Sequence, residues 1–227
     1  MDLFPLYNSI RVAAISTLIT FFTGIAAAYY IAKTPRAVKG VCDCVLTLPL
    51  VLPPTVIGFF LLKAIGPLTP LGSFVLDVLG FRLTMTWYSA IFATTIVSFP
   101  LMYRTVRAAF EAFDKTYIYS GQTLGLSDFF IFRRVILPNC KQGILAFARA
   151  LGEYGATSMV TGYIPGRTAT ISTTVYQLWR EGNDALAYKW VAINLVISFI
   201  VLVAVNMLEN RYRQPAGSAR DALMDEL

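Results

Sequence analysis

"RALGEYGATSMVTGY", Arg149 to Tyr163, sets an arginine and a glutamate near the middle of a stretch long and apolar enough to cross a bilayer. On the insertion scale a central charge costs roughly 2.5–3.5 kcal/mol, and the alanines and glycines around Arg149 and Glu153 cannot offset that twice over. Spacing supplies part of the answer. Arg149 and Glu153 stand at i and i+4 and can pair along one helix face, although desolvating two ions can exceed what their attraction returns. The same stride continues to Thr157 and Thr161, which makes a polar strip, while Ala148, Gly152 and Ala156 one position earlier form a small-xxx-small face for a closely packed neighbour. A helix with both features is expected inside a bundle or beside a wet cavity, not against lipid. Two roles stay open for the strip: it borders a pathway for a polar solute, an anion given Arg149 and the hydroxyls, or the pair locks the bundle.

The rest of the chain carries the same message. Of 227 residues 56% are hydrophobic and only 14% charged, with mean hydropathy +0.62, which is outside the balance of a soluble domain. Five stretches reach the roughly 20 apolar residues a crossing needs: about 10–32, 42–65, 86–103, 143–162 and 190–208. Lipid leaves backbone polar groups no partner outside a helix, so the prediction is an all-α membrane protein, a single transmembrane domain over 1–227. Net charge is +6, yet the basic residues do not gather into a nucleic-acid patch. They concentrate in three segments: Lys33 to Lys39, Arg104 to Lys141, and the tail from Arg211. These fall on one side of a five-span topology, which places the amino terminus outside and the carboxyl terminus in the cytoplasm.

The first span resembles a signal peptide in having Arg11 before an apolar run with small residues at Ala26–Ala28, but that run continues to Ala32 before Lys33. Cys42, Cys44 and Cys140 fall on or near the predicted cytoplasmic side, where thiols stay reduced. With no histidine in the chain a zinc site is not expected, and no other metal or cofactor is.

Pro49, Pro53 and Pro54 interrupt the second span, either as a kinked packing helix or as a wall of a pathway. The Gly- and Pro-rich loop 66–84 carries a short predicted helix, Ser73 to Leu79. The third span extends to Phe113. Beyond it the polar connection 104–141 reads as helix, a glycine break in "SGQTLGLSD" (120–128), and a second helix capped by Ser127 and Asp128 and ended by Pro138. On the basic side this is a docking surface or a membrane-surface helix pair.

Here the chain resembles the permease subunits of binding-protein-dependent ABC importers, in the molybdate/tungstate branch. Their cytoplasmic signature is Glu-Ala-Ala, three residues, Gly, nine residues, Ile, one residue, Leu-Pro; "YSGQTLGLSDFFIFRRVILP" keeps its spacing through Gly125, Val135, Leu137 and Pro138, with Tyr119, Ser120 and Gly121 at the first three positions. "LPLVLPPTVIGFFLL" (48–62), "GPLTPLG" (66–72), "FPLMYRTVRAAFEAFD" (99–114) and "ARALGEYGATSMVTGYIPGRTATISTTVY" (148–176) extend the likeness over nearly the whole chain. The resemblance implies the ABC importer permease fold in the cell (inner) membrane, working as a homodimer with two cytoplasmic ATPase subunits and an extracytoplasmic oxyanion-binding protein. Coupling would run through Tyr119, Ser120, Gly121, Leu124, Gly125, Leu126, Asp128, Leu137 and Pro138. ATP and Mg would bind the partner ATPase, in keeping with the lack of a Gly-x-x-x-x-Gly-Lys-Ser/Thr phosphate loop here. At the outer side, Arg167 in "YIPGRT" either attracts the anion or the binding protein, or is an ordinary loop arginine. Molybdate, tungstate and sulfate are similar tetrahedral dianions, and the matched stretches favour the first two over a sulfate-type permease.

Two other classes fit less well. An ion-coupled secondary transporter wants several intramembrane carboxylates or histidines, whereas the charged span offers Glu153. A membrane enzyme needs a nucleophile and base, or a metal cluster, in mutual reach, and none can be assembled from the sequence.

Overall fold

Leu52, Pro53 and Pro54 decide the most unusual bend in the chain. A residue that precedes proline is pushed out of the helical region, and both Leu52 (φ −72°, ψ 142°) and Pro53 (φ −54°, ψ 135°) are accordingly extended. Helix α2 (Arg36–Val51) ends there, and α3 (Pro54–Ile65) restarts with proline in its first turn, where a missing N–H costs nothing. The two axes meet at 109°. The predicted second span is therefore a broken span, bent far more sharply than a proline kink.

The computed structural model describes residues 2–32, 34–112, 123–125, 150 and 152–212. Among these the remaining elements are α1 (Phe4–Ala32), α4 (Pro70–Leu79), α5 (Trp87–Ala112), α6 (Gly155–Thr161), α7 (Ile171–Arg180) and α8 (Asp184–Tyr212). All are helices. Helices α1 and α8 are long and apolar enough to cross a membrane, and the bent α2–α3 pair is so if taken as one span. The expected short helix at 73–79 is α4, begun by Thr69, whose side chain accepts from Gly72 N–H at 3.1 Å, and closed by Gly80 in the left-handed region (φ 70°).

Helix α5 is the centre of the bundle. Val12 of α1 packs with Ala90 and Ile91 of α5, and further along Ile25 and Ala28 pack with Met102 and Val106. Residue numbers rise together on both helices, so α1 and α5 run parallel. Helix α8 runs the same way, with Trp190 near Leu6 and Ile197 and Val201 near Ala13. Between α1 and α5 the chain returns through α2–α3, and α6 lies antiparallel to α5, with Thr157 beside Thr94 and Val160 O accepting from Met85 N–H. The return of α3 seats Ile57 and Ile65 against Ala93 and Val97 of α5 and Ala156 and Val160 of α6.

Small residues set how closely α3 and α6 cross. A Cβ on Gly58 would lie 2.7 Å from Met159 Cβ and 2.9 Å from Ala156 Cα, and one on Gly155 would lie 2.8 Å from Pro54 Cβ. The small-residue face expected around Ala156 thus meets α3. The outer faces are apolar: Leu18, Ile19 and Phe22 on α1 and Leu195, Phe199 and Ile200 on α8 are exposed, as lipid contact or a second copy requires.

Candidate translocation site

Gly152, Glu153 and Tyr154 are not helical, and α6 begins at Gly155. The described part of the predicted span 143–162, residues 150 and 152–162, is therefore not helical at 152–154. This break explains how a carboxylate only 4% exposed is accommodated. The first N–H groups of a helix lack internal partners and favour negative charge, and Glu153 Oε1 accepts from Ala156 N–H at 2.9 Å. The side chain that looked costly in mid-span serves as the cap of a restarted helix.

Helix α6 then presents two polar stripes. Glu153, Thr157 and Thr161 point inward, all buried. Thr157 Oγ1 lies 3.4 Å from Thr94 Oγ1 of α5, and Thr161 Oγ1 donates to Thr157 O at 2.7 Å. A small cavity adjoins this stripe, bordered also by Ser9 of α1 and by Thr170. Ser16, Thr20 and Ser98 are buried as well, so hydroxyls run along the α1–α5 seam. One residue later, Tyr154, Ser158 and Gly162 line an open cleft shared with α7.

Residues 163–170 tie this region to α1. Asn8 Nδ2 donates to Thr168 O and Ala169 O at 3.3 and 3.0 Å, and Ser9 Oγ accepts from Ile171 N–H at 2.8 Å. Thr170 and Thr173 form a reciprocal cap for α7. Arg167 is exposed beside this loop, and Arg11 of α1 stacks on the Trp87 ring at 3.6 Å.

A second polar group sits where α2 meets α5. Tyr103 is wholly buried and its hydroxyl donates to Asp43 Oδ1, while Arg107, one turn further along α5, pairs with the same carboxylate. This junction lies just before the segment 113–141 that holds the predicted coupling residues. Sequence reasoning missed it. The signal was an aspartate between two cysteines at the start of a predicted span, which needs a cation or donor from another element.

Of the predicted coupling residues, Leu124 and Gly125 are described. Leu124 is exposed and Gly125 takes φ 76°, the left-handed conformation that favours glycine. Tyr119, Ser120, Gly121, Leu126, Asp128, Leu137, Pro138 and Arg149 lie outside the described residues. Among the described residues no group of three His, Cys, Asp or Glu gathers as metal ligands would.

Comparison with known proteins gives a consistent picture. The family described as "Binding-protein-dependent transport system inner membrane component" matches residues 20–214. The molybdenum transport system permease protein ModB of Escherichia coli K12 is 34% identical over 215 residues, covering 92% of this chain and 94% of that protein. ModB of Azotobacter vinelandii is 32% identical over 211 residues, covering 90% and 92%. Among solved structures, the inward-facing MetNI methionine ABC transporter superposes with TM-score 0.70 at 12% identity, covering 92% of this chain and 95% of that one. A bacterial alginate ABC transporter in complex with its alginate-bound periplasmic protein gives 0.72 at 17% identity, covering 92% and 78%.

Proposed function

Because this chain belongs to the binding-protein-dependent transport system inner membrane component family, we propose that it is the permease subunit through which molybdate or tungstate enters the cytoplasm. The observation that carries the choice of solute is the identity of 31–34% to molybdenum permeases over nine-tenths or more of both chains. Two copies form the conduit across the inner membrane. Two ATPase subunits dock on the cytoplasmic side and carry ATP and Mg, and an extracytoplasmic binding protein delivers the oxyanion. This subunit performs no chemistry of its own; it converts closure of the ATPases into rigid-body motion of its helices.

The parallel run of α1, α5 and α8, with returns through α2–α3 and α6, supports five crossings with the amino terminus outside. Leu124 exposed beside a left-handed Gly125 supports a surface turn suited to a partner's groove. The Tyr103–Asp43–Arg107 junction ties that turn's approach helix to the broken span, so movement at the ATPase contact reaches α3 and, across Gly58, α6. Glu153, Thr157 and Thr161 hold the interior of each half together.

The test is uptake of labelled molybdate by proteoliposomes holding the assembled importer. Competition by unlabelled tungstate and weak competition by sulfate are expected. Uptake blocked by sulfate but indifferent to tungstate would refute the choice of solute.

A further inference from the structure

The cleft on the second face of α6 has a volume of about 370 Å³. Of the eight described residues that line it, seven carry a hydroxyl, an amide or a guanidinium, and the eighth is Gly162. Such a lining is costly against acyl chains, so the cleft faces water or solute. Tyr154 and Ser158 enter it from the α6 side; Tyr176, Gln177 and Arg180 enter from α7. The Tyr154 and Tyr176 rings stand 5.3 Å apart, and the Arg180 guanidinium lies over the Tyr176 ring, 5.9 Å from its centre.

The chemistry of this lining is one-sided. Phenols, a guanidinium and hydroxyls can all donate, and among the described residues no carboxylate lines the cleft. The neighbouring acid, Glu181, is turned onto the Gln177 amide, which donates to Glu181 Oε1 at 2.8 Å. Gly162, with φ 62°, adds only backbone to the wall. The buried stripe one residue earlier offers only a small cavity with its hydroxyls already engaged.

Resting on the importer reading, we propose that the cleft between α6 and α7 is a transient site for a tetrahedral oxyanion in transit. Arg180 supplies the charge, and Tyr154 and Tyr176 supply hydroxyl donors. Binding there is weak by construction. Arg180 is solvent-exposed, so water and salt screen its pull, and a conduit must release what it holds. A phospholipid headgroup phosphate shares the same tetrahedral chemistry, so the test must separate it from the free ion.

The assembled transporter, with Cys42, Cys44 and Cys140 replaced by serine, carries Ser158→Cys as reporter and is placed in phosphatidylcholine vesicles without binding protein. The rate of modification by methyl methanethiosulfonate is measured with millimolar molybdate and with chloride at matched ionic strength. Molybdate is expected to slow modification, and Arg180→Gln to raise the concentration for half-protection roughly tenfold, as loss of one charge-assisted hydrogen bond does. Gln177→Cys, on the facing helix, is the second reporter should Ser158→Cys assemble poorly. Equal rates with and without molybdate at both positions, or protection indifferent to Arg180→Gln, would overturn the site. Slow modification that needs only phosphatidylglycerol in the vesicle would assign the cleft to a headgroup and also overturn it. ATP-dependent uptake by the unmodified complex is followed in parallel. Uptake without protection removes this site alone, whereas absent uptake removes the importer reading and the site with it.

Discussion

Replacing Gly58 by alanine tests the packing on which the α3–α6 crossing depends. The added Cβ would meet Met159 Cβ at 2.7 Å and Ala156 Cα at 2.9 Å, with Ala156 O at 3.1 Å. Carbon atoms settle at about 3.5–4.0 Å, so the two helices must part by roughly 1 Å, and the obstructing atoms are backbone and Cβ, which cannot swing aside. Overpacking of this kind costs about 1–3 kcal/mol. Gly40 is the matched control. It is helical and a Cβ there meets nothing within 4 Å, so alanine gains roughly 0.5–1 kcal/mol of helix propensity. Thermal unfolding of the detergent-purified transporter, read by loss of its size-exclusion peak, should show Gly58→Ala lower and Gly40→Ala equal to or above the parent. On the soluble-domain scale the shift is about 2–4 °C per kcal/mol. Gly58→Ala at the parent's midpoint, with unchanged uptake, would refute the close crossing of α3 and α6.

Three further outcomes follow from named contacts. Asp43→Asn should weaken the junction of α2 with α5 by about 1.5–3 kcal/mol, toward the lower figure because Asp43 and Arg107 are partly exposed; ATP hydrolysis by the assembled complex should become less dependent on loaded binding protein, and normal stimulation would count against a coupling role. Glu153→Ala should lower folded yield by removing the acceptor for Ala156 N–H, whereas Glu153→Gln, which keeps an acceptor, should recover much of it; equal yields from both would deny the cap its importance. Gly125→Ala, forced to hold φ 76°, should cost roughly 1–2 kcal/mol at the turn and weaken ATPase association in a pull-down, leaving membrane insertion intact.

Much of the architecture was legible because it rests on local rules. The apolar length of α1, the extension of α5 past the third span to Ala112, the helix α4, and the break at the prolines all follow from composition and backbone sterics. The angle of that break did not, because proline pairs fix where a helix stops and not where the next one points. Asp43 found its partners on α5, sixty residues away in the chain, which no local pattern encodes. Helix α7 was left unassigned, although Ile171, Val175 and Leu178 recur at helical spacing; its cap uses threonine at both ends where the familiar pattern ends in Glu or Gln. At Glu153 the residue was found but not the bond it makes to the start of α6, which begins only at Gly155 and takes the carboxylate as acceptor in its first turn; Arg149, the expected i, i+4 partner, lies outside the described residues. The open polar stripe accordingly lies one position later, at Tyr154 and Ser158.

The central claim is that this chain is a passive conduit powered from another subunit, and a leave-one-out reconstitution tests it most directly. Proteoliposomes are prepared with the permease alone, with the ATPase, with the binding protein, and with all components, and labelled molybdate uptake is measured with and without ATP. Uptake is expected only in the complete set with ATP present. Accumulation driven by an ion gradient across vesicles lacking the ATPase, or ATP hydrolysis by the purified chain by itself, would contradict it.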